Sequence, residues 1–197
     1  MINISAIVLA AGFSRRMGAA NKLLLPWRDI TVVAAVAQHL LSAAVDEVIV
    51  VTGHQSSEVE KALQSLPVRF IHNSAAHTGL TSSIQKGVSI AGGDGYMICL
   101  ADMVLITPEE YTLLSSAFRA RHLLDDRCIV LPDFQGKTGN PVIFSAAYRS
   151  DILLQPETEG CKTLVRSNPG HHLRVAMPSD HVLKDIDYPG DYAALTP

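Results

Sequence analysis

The chain has 197 residues, of which 48% are hydrophobic and 18% are charged, and its 16 basic and 19 acidic side chains give a formal net charge of −3. This composition excludes a disordered chain, and the length predicts a single ordered domain over residues 1–197 that buries about 70% of the surface of the unfolded chain. The sequence disfavours nucleic-acid binding as a main task, because such binding requires a concentrated basic face and the sequence has no long Lys/Arg run. No segment approaches the ~20 apolar residues that span a bilayer, so we expect no membrane association.

The cysteines bear on where the protein works. Cys99, Cys128 and Cys161 are odd in number, lie far apart and form no C-x-x-C pair, so the sequence predicts neither a disulfide framework nor a zinc site. The apolar stretch 4–11 has no basic segment before it, which argues against a secretion signal. We therefore expect a cytoplasmic protein.

Segments rich in β-branched residues alternate along the chain with segments of helical spacing. The predicted elements, in chain order, are strand 4–9, helix 31–44, strand 47–51, helix 57–66, strand 68–72, helix 81–90, strand 96–100, helix 108–121 and strand 128–131. This alternation is typical of an α/β fold with a mainly parallel sheet flanked by helices. Such sheets bind ligands at the carboxyl ends of their strands, so we expect functional residues in segments 10–22, 73–83 and 101–107.

The pattern changes after about residue 131. Gly136, Gly139 and Pro141 interrupt the chain, and residues 142–144 are predicted to form another strand. Two shorter helices follow, separated by turn residues. We interpret this part, about residues 132–197, as a lid or a second lobe of the same domain.

The first predicted strand leads directly into a glycine-containing loop, L-A-A-G-F-S-R-R-M-G at residues 9–18, which is followed by Lys22. Small residues after a strand expose backbone N–H groups that can bind a phosphate chain, and Arg15, Arg16 and Lys22 can add charged contacts. The spacing of Gly12 and Gly18 matches neither a Walker loop nor the G-x-G-x-x-G of dinucleotide-binding proteins. The residues alone leave open a solvent-exposed glycine turn with no ligand.

Five motifs occur in the order that is typical of one group of nucleotidyltransferases. They are the loop at 9–18 with Lys22, G-L-T-S-S-I at 79–84, L-A-D-M at 100–103, G-N-P-V-I-F at 139–144 and D-I-D-Y-P-G-D-Y at 185–192. Together they resemble the molybdenum cofactor cytidylyltransferases. The segments K-L-L-L-P-W at 22–27 and G-N-P-V are more similar to the cytidylyl branch than to the guanylyl branch, so the resemblance ranks CTP above GTP.

The resemblance implies a fold, a reaction and a cofactor. The fold is a three-layer, Rossmann-like nucleotidyltransferase fold with a mostly parallel sheet, in which about residues 1–131 bind the nucleotide and about 132–197 form the acceptor side. The reaction is the transfer of CMP from CTP to the terminal phosphate of molybdenum-bearing molybdopterin, with release of pyrophosphate and with Mg²⁺ as the cofactor. A molybdoenzyme is implied as a docking partner.

The resemblance also implies roles for individual residues. The catalytic residues are Lys22, Arg15 and Asp102. The Mg²⁺ ligands are Asp102 and Asp187. The acceptor-side residues are Asn140 and Lys162. The nucleotide-binding residues are Leu9, Ala10, Ala11, Gly12, Arg15, Lys22, Gly79, Ser82 and Ser83.

The residues themselves leave structural alternatives open. Asp is a preferred helix N-cap, so Asp102 could cap a turn before Thr107, and Asp187 could cap a helix that starts near Tyr188. The hydroxyl groups at 81–83 could serve only to start a helix.

Two segments depart from the family pattern. Val104 stands where a proline commonly follows L-A-D-M. In the segment that resembles G-D-x-G-A-R, Glu159 replaces an Asp and Lys162 replaces an Arg, so a flexible point charge stands where relatives have a planar bidentate group. The acceptor could therefore differ from molybdopterin.

Other functions compete with this one. Within the same class, the base could be guanine, or the acceptor could be a sugar 1-phosphate or another phosphorylated small molecule. A protein of another class could carry the cofactor without catalysis and dock on a molybdoenzyme. A small oxidoreductase would require a flavin or nicotinamide site, for which the sequence shows no motif.

Overall fold

The computed structural model describes residues 1–18, 20–156 and 160–195, without the side chain of Arg15. The strands are β1 (Ile4–Ala10), β2 (Pro26–Trp27), β3 (Ile30–Thr31), β4 (Glu47–Thr52), β5 (Arg69–His72), β6 (Gly95–Leu100), β7 (Ile129–Phe134), β8 (Lys137–Thr138), β9 (Val142–Ser145) and β10 (His172–Ala176). The α-helices are α1 (Val32–Leu41), α2 (Ser56–Leu63), α3 (Leu80–Ile90), α4 (Pro108–His122), α5 (Arg149–Leu154), α6 (Lys162–Arg166) and α7 (Pro189–Leu195). None of these helices combines the length and the apolar character that crossing a membrane requires.

The main sheet is mixed but mostly parallel. Within the described residues its strands run in the order β10-β7-β9-β6-β1-β4-β5, and β8 pairs with the end of β7. The pairs β1–β4, β1–β6, β4–β5 and β7–β10 are parallel, whereas β9 runs antiparallel to both β6 and β7. The mostly parallel sheet predicted from the sequence is confirmed. Strands from both sides of residue 131 share it, since β9 lies between β6 and β7.

Helices cover both faces of the sheet. All seven residues of β1 are buried, as is typical of a central parallel strand. Successive side chains of a strand point to opposite faces, so Ala6 and Val8 pack in one cluster with Phe118 of α4, whereas Ile7 packs in a second cluster with Ile84 of α3. The result is the three-layer arrangement expected from the motifs.

Two helices begin at caps that the sequence supplies. Thr31 accepts a hydrogen bond from the backbone of Ala34 at the start of α1. Thr107 and Glu110 form a reciprocal capping box at the start of α4, with Pro108 in its first turn. Thr107 therefore caps this helix.

Helix α1 ends earlier than its sequence pattern predicts. The apolar pattern extends to residue 44, but the helix ends at Leu41. The backbone of Val45 bonds to the carbonyl of Ala43, which turns the chain toward β4 before another helical turn can form.

Candidate active site

A cavity of about 240 Å³ opens at the carboxyl ends of β1 and β6. Parallel sheets commonly bind ligands at this edge, where the loops that follow neighbouring strands converge. The loop after β1, the start of α3 and the end of β6 all contribute to the wall. The residues from the sequence prediction that line the cavity are Leu9, Ala11, Gly12, Lys22, Gly79, Ser83 and Asp102.

The loop after β1 is held in shape by its own polar side chains. Ser14 adopts a left-handed backbone conformation, and its Oγ accepts a hydrogen bond from the backbone N–H of Lys22 at 3.2 Å. Asn21 Oδ1 accepts from the backbone of Leu23 at 3.0 Å and caps the short helix that contains Lys22. Leu23 is buried, so the segment is anchored at a fixed point of the core. The loop therefore presents Lys22 from a preformed frame.

Glycine sets the distance between this loop and the strand beside it. A Cβ at Gly53, just after β4, would lie 2.7 Å from Cβ of Ala11, so only glycine permits this approach. A Cβ at Gly12, in contrast, would meet no atom within 4 Å. Open space therefore lies above Gly12, where its backbone can face a ligand. Arg15 begins a short helix in the same loop, but its side chain lies outside the described part.

Lys22 lies between two carboxylates from distant parts of the chain. Its Nζ is 2.5 Å from Oδ2 of Asp102 and 3.1 Å from Oδ1 of Asp187. Burial by itself lowers the pKa of Lys22, but Asp102 and Asp187 outweigh it and raise the pKa overall. Burial acts to raise the pKa of Asp187, yet Lys22 and Arg16 bind its charged form and lower it overall. The lysine and Asp187 are therefore charged at neutral pH.

A third carboxylate, Asp185, completes an acidic cluster. One oxygen each from Asp102, Asp185 and Asp187 lies within 4.8 Å of the others. Burial, together with the charges of Asp102 and Asp187, raises the pKa of Asp185. Oδ1 of Asp102 is buried and has no hydrogen-bond partner within the described residues. Clustered carboxylates with an unpartnered buried oxygen fit a divalent cation, which takes oxygen ligands.

The segment that carries Asp185 and Asp187 is tied to the fold at several points. Ser179 donates to Oε1 of Glu110, and Nδ1 of His181 lies 3.0 Å from Oε2 of the same carboxylate. The backbone of Asn140 donates to the carbonyl of Val182, whose side chain is fully buried. These contacts bring the acidic pair to Asp102.

The start of α7 does not depend on Asp187. Oδ2 of Asp191 accepts hydrogen bonds from the backbone N–H groups of Asp187 and Tyr188. The carboxylate of Asp187 instead bonds to Lys22 and Arg16. Of the two roles that the residues left open for Asp187, the geometry favours the one beside Lys22 and Asp102 over the helix cap.

The hydroxyl groups at the start of α3 have different surroundings. Ser83 lines the cavity and its Oγ accepts from Nδ2 of Asn73 at 2.9 Å. Oγ of Ser82 also bonds to Asn73, and it lies within hydrogen-bond distance of the carbonyls of Ala75 and Gly79. Ser82 therefore orders the loop before α3 and, like Ala10 in the core, lies off the cavity wall. Thr81 points away, to Gly160.

A second cavity of about 300 Å³ adjoins the first and shares Leu80 and Leu100 with it. Asn140 and Lys162 line it, together with Cys161. Most of the other lining residues are apolar: Ile84, Ile98, Val142, Phe144 and Val165. Glu159, one of the departures from the family pattern, lies outside the described residues.

A family model described as "MobA-like NTP transferase domain" matches residues 6–175. The chain belongs to this family. Among solved structures, a nucleotidyl transferase from Methanothermobacter superposes with a TM-score of 0.86 at 28% identity, covering 98% of this chain and 95% of that one. The α/β nucleotidyltransferase fold expected from the sequence is confirmed.

Curated relatives carry two different names. A "Probable molybdenum cofactor guanylyltransferase" of Methanosarcina mazei is 34% identical over 116 residues, which are 56% of this chain and 51% of that protein. The chain thus spans about half the length of this relative. A "Nicotine blue oxidoreductase" of Paenarthrobacter nicotinovorans is 23% identical over 178 residues, covering 84% of this chain and 83% of that protein.

Sequence reasoning missed two features of the candidate site. Asp185 was not among the predicted ligands, although it opens the same D-I-D segment as Asp187 and an alternating pair of acids is a signal in itself. The contact of Thr81 with Gly160 was missed too, because the two residues are far apart in sequence and their residue types carry no signal of pairing.

Proposed function

We propose that the transferase moves CMP from CTP to the terminal phosphate of molybdenum-bearing molybdopterin and releases pyrophosphate, with Mg²⁺ as its cation. The observation that carries the proposal is the placement of Lys22 beside the acidic cluster, at the end of the loop after β1. Positive and negative groups stand together there, as binding of both a polyphosphate and its cation requires.

The chemistry that this site has to perform is limited. The attacking phosphate of the acceptor is already ionised, so no general base is needed, and catalysis consists of positioning and charge neutralisation. Lys22 and Arg15 stabilise the α-phosphate and the departing pyrophosphate. Asp102 and Asp187, with Asp185 beside them, would hold Mg²⁺, which supplies positive charge to the phosphate oxygens when bound. Leu9, Ala11, Gly12, Gly79 and Ser83 line the remaining nucleotide cavity.

The acceptor is assigned to the second cavity. Lys162 and Asn140 are polar groups on its wall, and the cavity adjoins the nucleotide cavity at Leu80 and Leu100. An acceptor bound there can direct a phosphate toward the α-phosphorus while Lys162 balances its charge. We also propose that the protein acts in the cytoplasm and passes its product to a molybdoenzyme, in keeping with three cysteines that are all free, buried thiols.

GTP is the second candidate for the nucleotide, because the Methanosarcina relative is named a guanylyltransferase. The preference for CTP is supported by the K-L-L-L-P-W segment at 22–27 and by G-N-P-V at 139–142. The two candidates share the reaction and the acceptor and differ only in the base.

A competition assay tests the proposal. The purified protein is supplied with Mg²⁺, molybdenum-bearing molybdopterin and equal amounts of CTP, GTP, ATP and UTP, and pyrophosphate and each remaining nucleotide are measured. We expect pyrophosphate release with selective loss of CTP. Selective loss of GTP would assign the protein to the guanylyl branch, and no release with any nucleotide would refute nucleotidyl transfer to this acceptor.

A further inference from the structure

Helix α3 connects the two cavities. Its N-cap residue Gly79 and Ser83 in its first turn line the nucleotide cavity. Thr81, between them, is buried and turns toward the acceptor side, where its Oγ1 accepts a hydrogen bond from the backbone N–H of Gly160 at 3.0 Å. The same Oγ1 lies 3.5 Å from the carbonyl oxygen of Gly160. The hydroxyl group of Thr81 thus contacts both the backbone N–H and the backbone carbonyl of Gly160.

The contacted glycine sets the path of the chain into the acceptor cavity. Gly160 has φ of +83°, a conformation that side chains other than glycine rarely adopt, and a Cβ there would lie 3.1 Å from Cδ2 of Leu80. Nε2 of Gln155 donates to the carbonyl of Gly160 at 2.9 Å. Cys161 and Lys162 follow directly, and all three residues line the second cavity. The direction of Lys162 therefore depends on how Gly160 is held.

A second residue of α3 contacts the end of α5. Gln85 lies four residues after Thr81, on the same side of the helix. Its Nε2 lies within hydrogen-bond distance of the carbonyl oxygens of Ile152, Leu153 and Gln155, at 3.1, 3.2 and 3.1 Å. The last carbonyls of a helix have no partner within it, so Gln85 serves as a cap for the end of α5.

We propose that Thr81 and Gln85 are positioning residues for the acceptor: they hold Gly160 and the end of α5, and so place Cys161 and Lys162 in the wall of the acceptor cavity. This inference rests on the proposed function, in which that cavity receives the acceptor. Removing the hydroxyl of Thr81 leaves the buried N–H of Gly160 without its acceptor and frees the turn before Lys162. The nucleotide cavity keeps Gly79 and Ser83, so nucleotide binding is unchanged.

Steady-state kinetics test the inference with Thr81→Val, which keeps the side-chain shape and removes the hydroxyl. We expect a roughly tenfold rise in KM for molybdenum-bearing molybdopterin, as the loss of one buried hydrogen bond predicts, with KM for CTP unchanged. Thr81→Ser restores the hydroxyl and should restore KM for the acceptor. Ser89→Ala, at an exposed position of the same helix, is the matched control. An equal rise in both KM values, or an unchanged acceptor KM, would overturn the inference.

A second measurement needs no acceptor and so separates this inference from the proposed function. Burial raises the pKa of the Cys161 thiol to about 11, so iodoacetamide should modify it slowly in the wild-type protein. In Thr81→Val we expect faster modification of Cys161. If this variant folds poorly, Gln85→Leu replaces it, with the same expected result. Cys99 and Cys128 are buried elsewhere and report general unfolding.

The outcomes are distinct. Faster modification of Cys161 alone, with unchanged affinity for CTP, supports the positioning role of Thr81 even if the wild-type protein releases no pyrophosphate and the proposed function fails. Unchanged modification of Cys161 overturns the inference even if CMP transfer is observed. Equal acceleration at all three cysteines also overturns it, because it indicates general loosening of the fold.

Discussion

The two adjoining cavities differ in what forms their walls. The nucleotide cavity is lined by the loop after β1 and by a lysine between carboxylates, so its character is electrostatic. Among the described residues, the wall of the acceptor cavity is largely apolar and carries one lysine, Lys162. The charged groups of the first cavity are suited to bind the triphosphate that every nucleotide substrate carries. The apolar wall of the second cavity is suited to distinguish one acceptor molecule from another. Under the proposed function the first cavity supplies catalytic charge and the second selects the acceptor, and variants in each cavity test this division.

The largest effect is expected for Lys22→Ala. Loss of a preorganised positive charge at the transition state lowers turnover by about 10²-fold to 10³-fold. The rate of pyrophosphate release under saturating CTP and acceptor measures this effect. Lys61→Ala, at an exposed lysine of α2, is the control and should retain the wild-type rate. A normal rate in Lys22→Ala would remove the lysine from the catalytic account.

Removal of a carboxylate should affect metal binding on the nucleotide side. Asp102→Asn replaces an oxygen ligand by a neutral amide, and we expect affinity for Mn²⁺ in the presence of CTP to fall at least about tenfold. Electron paramagnetic resonance of free Mn²⁺ gives this affinity directly. Asp185→Asn tests the third acid in the same way, and Asp29→Asn, at an exposed site, is the control. Wild-type affinity in Asp102→Asn would show that the cluster is not the cation site.

A variant in the acceptor cavity should leave nucleotide binding unchanged. Lys162→Ala removes the lysine of the second cavity, and we expect KM for the acceptor to rise about tenfold while KM for CTP stays unchanged, as the loss of one charged contact predicts. Initial rates at varied acceptor concentration provide the measurement. Lys137→Ala, an exposed lysine in the same part of the chain, is the control. A rise in KM for CTP would contradict the division between the cavities.

The smallest effects are expected for alanine substitutions of two glycines, one of which should affect CTP binding and the other the stability of the fold. A Cβ at Gly12 meets no atom within 4 Å, so Gly12→Ala should leave thermal stability unchanged and weaken CTP binding several-fold by narrowing the cavity. A Cβ at Gly139 would overlap the backbone carbonyl oxygen of Val182, so Gly139→Ala should lower the free energy of unfolding by about 1–3 kcal/mol. Denaturant unfolding and calorimetric CTP titration measure the two quantities. The reverse pattern would contradict the assignment of Gly12 to the cavity wall.

The same two regions show how far a single sequence could be interpreted. The loop after β1 could be predicted because strand, glycines and lysine are close in sequence, and local spacing carries their chemistry. The meeting of Asp102 with Asp187 could be expected only from the resemblance, since the residues alone left a capping role open for each. The anchors that join them, such as Glu110 with Ser179 and His181, are tertiary contacts without a sequence pattern.

The acceptor side was harder to predict for a physical reason. Its walls come from α3, β6, β9 and α6, and apolar residues such as Phe144 and Ile84 look in sequence like ordinary core residues. The short strands β2, β3 and β8 were not predicted either, because segments of two residues show no periodicity. Contacts between residues far apart in sequence, rather than local secondary-structure preference, determine the acceptor side.

The position of bond cleavage in CTP tests the central claim most directly. The protein is incubated with Mg²⁺ and molybdenum-bearing molybdopterin, with CTP labelled with ³²P at the α-phosphate in one reaction and at the γ-phosphate in another. We predict that the α-label moves to the acceptor and that the γ-label leaves as pyrophosphate. Release of the γ-label as orthophosphate, with the α-label retained in CDP, would contradict nucleotidyl transfer.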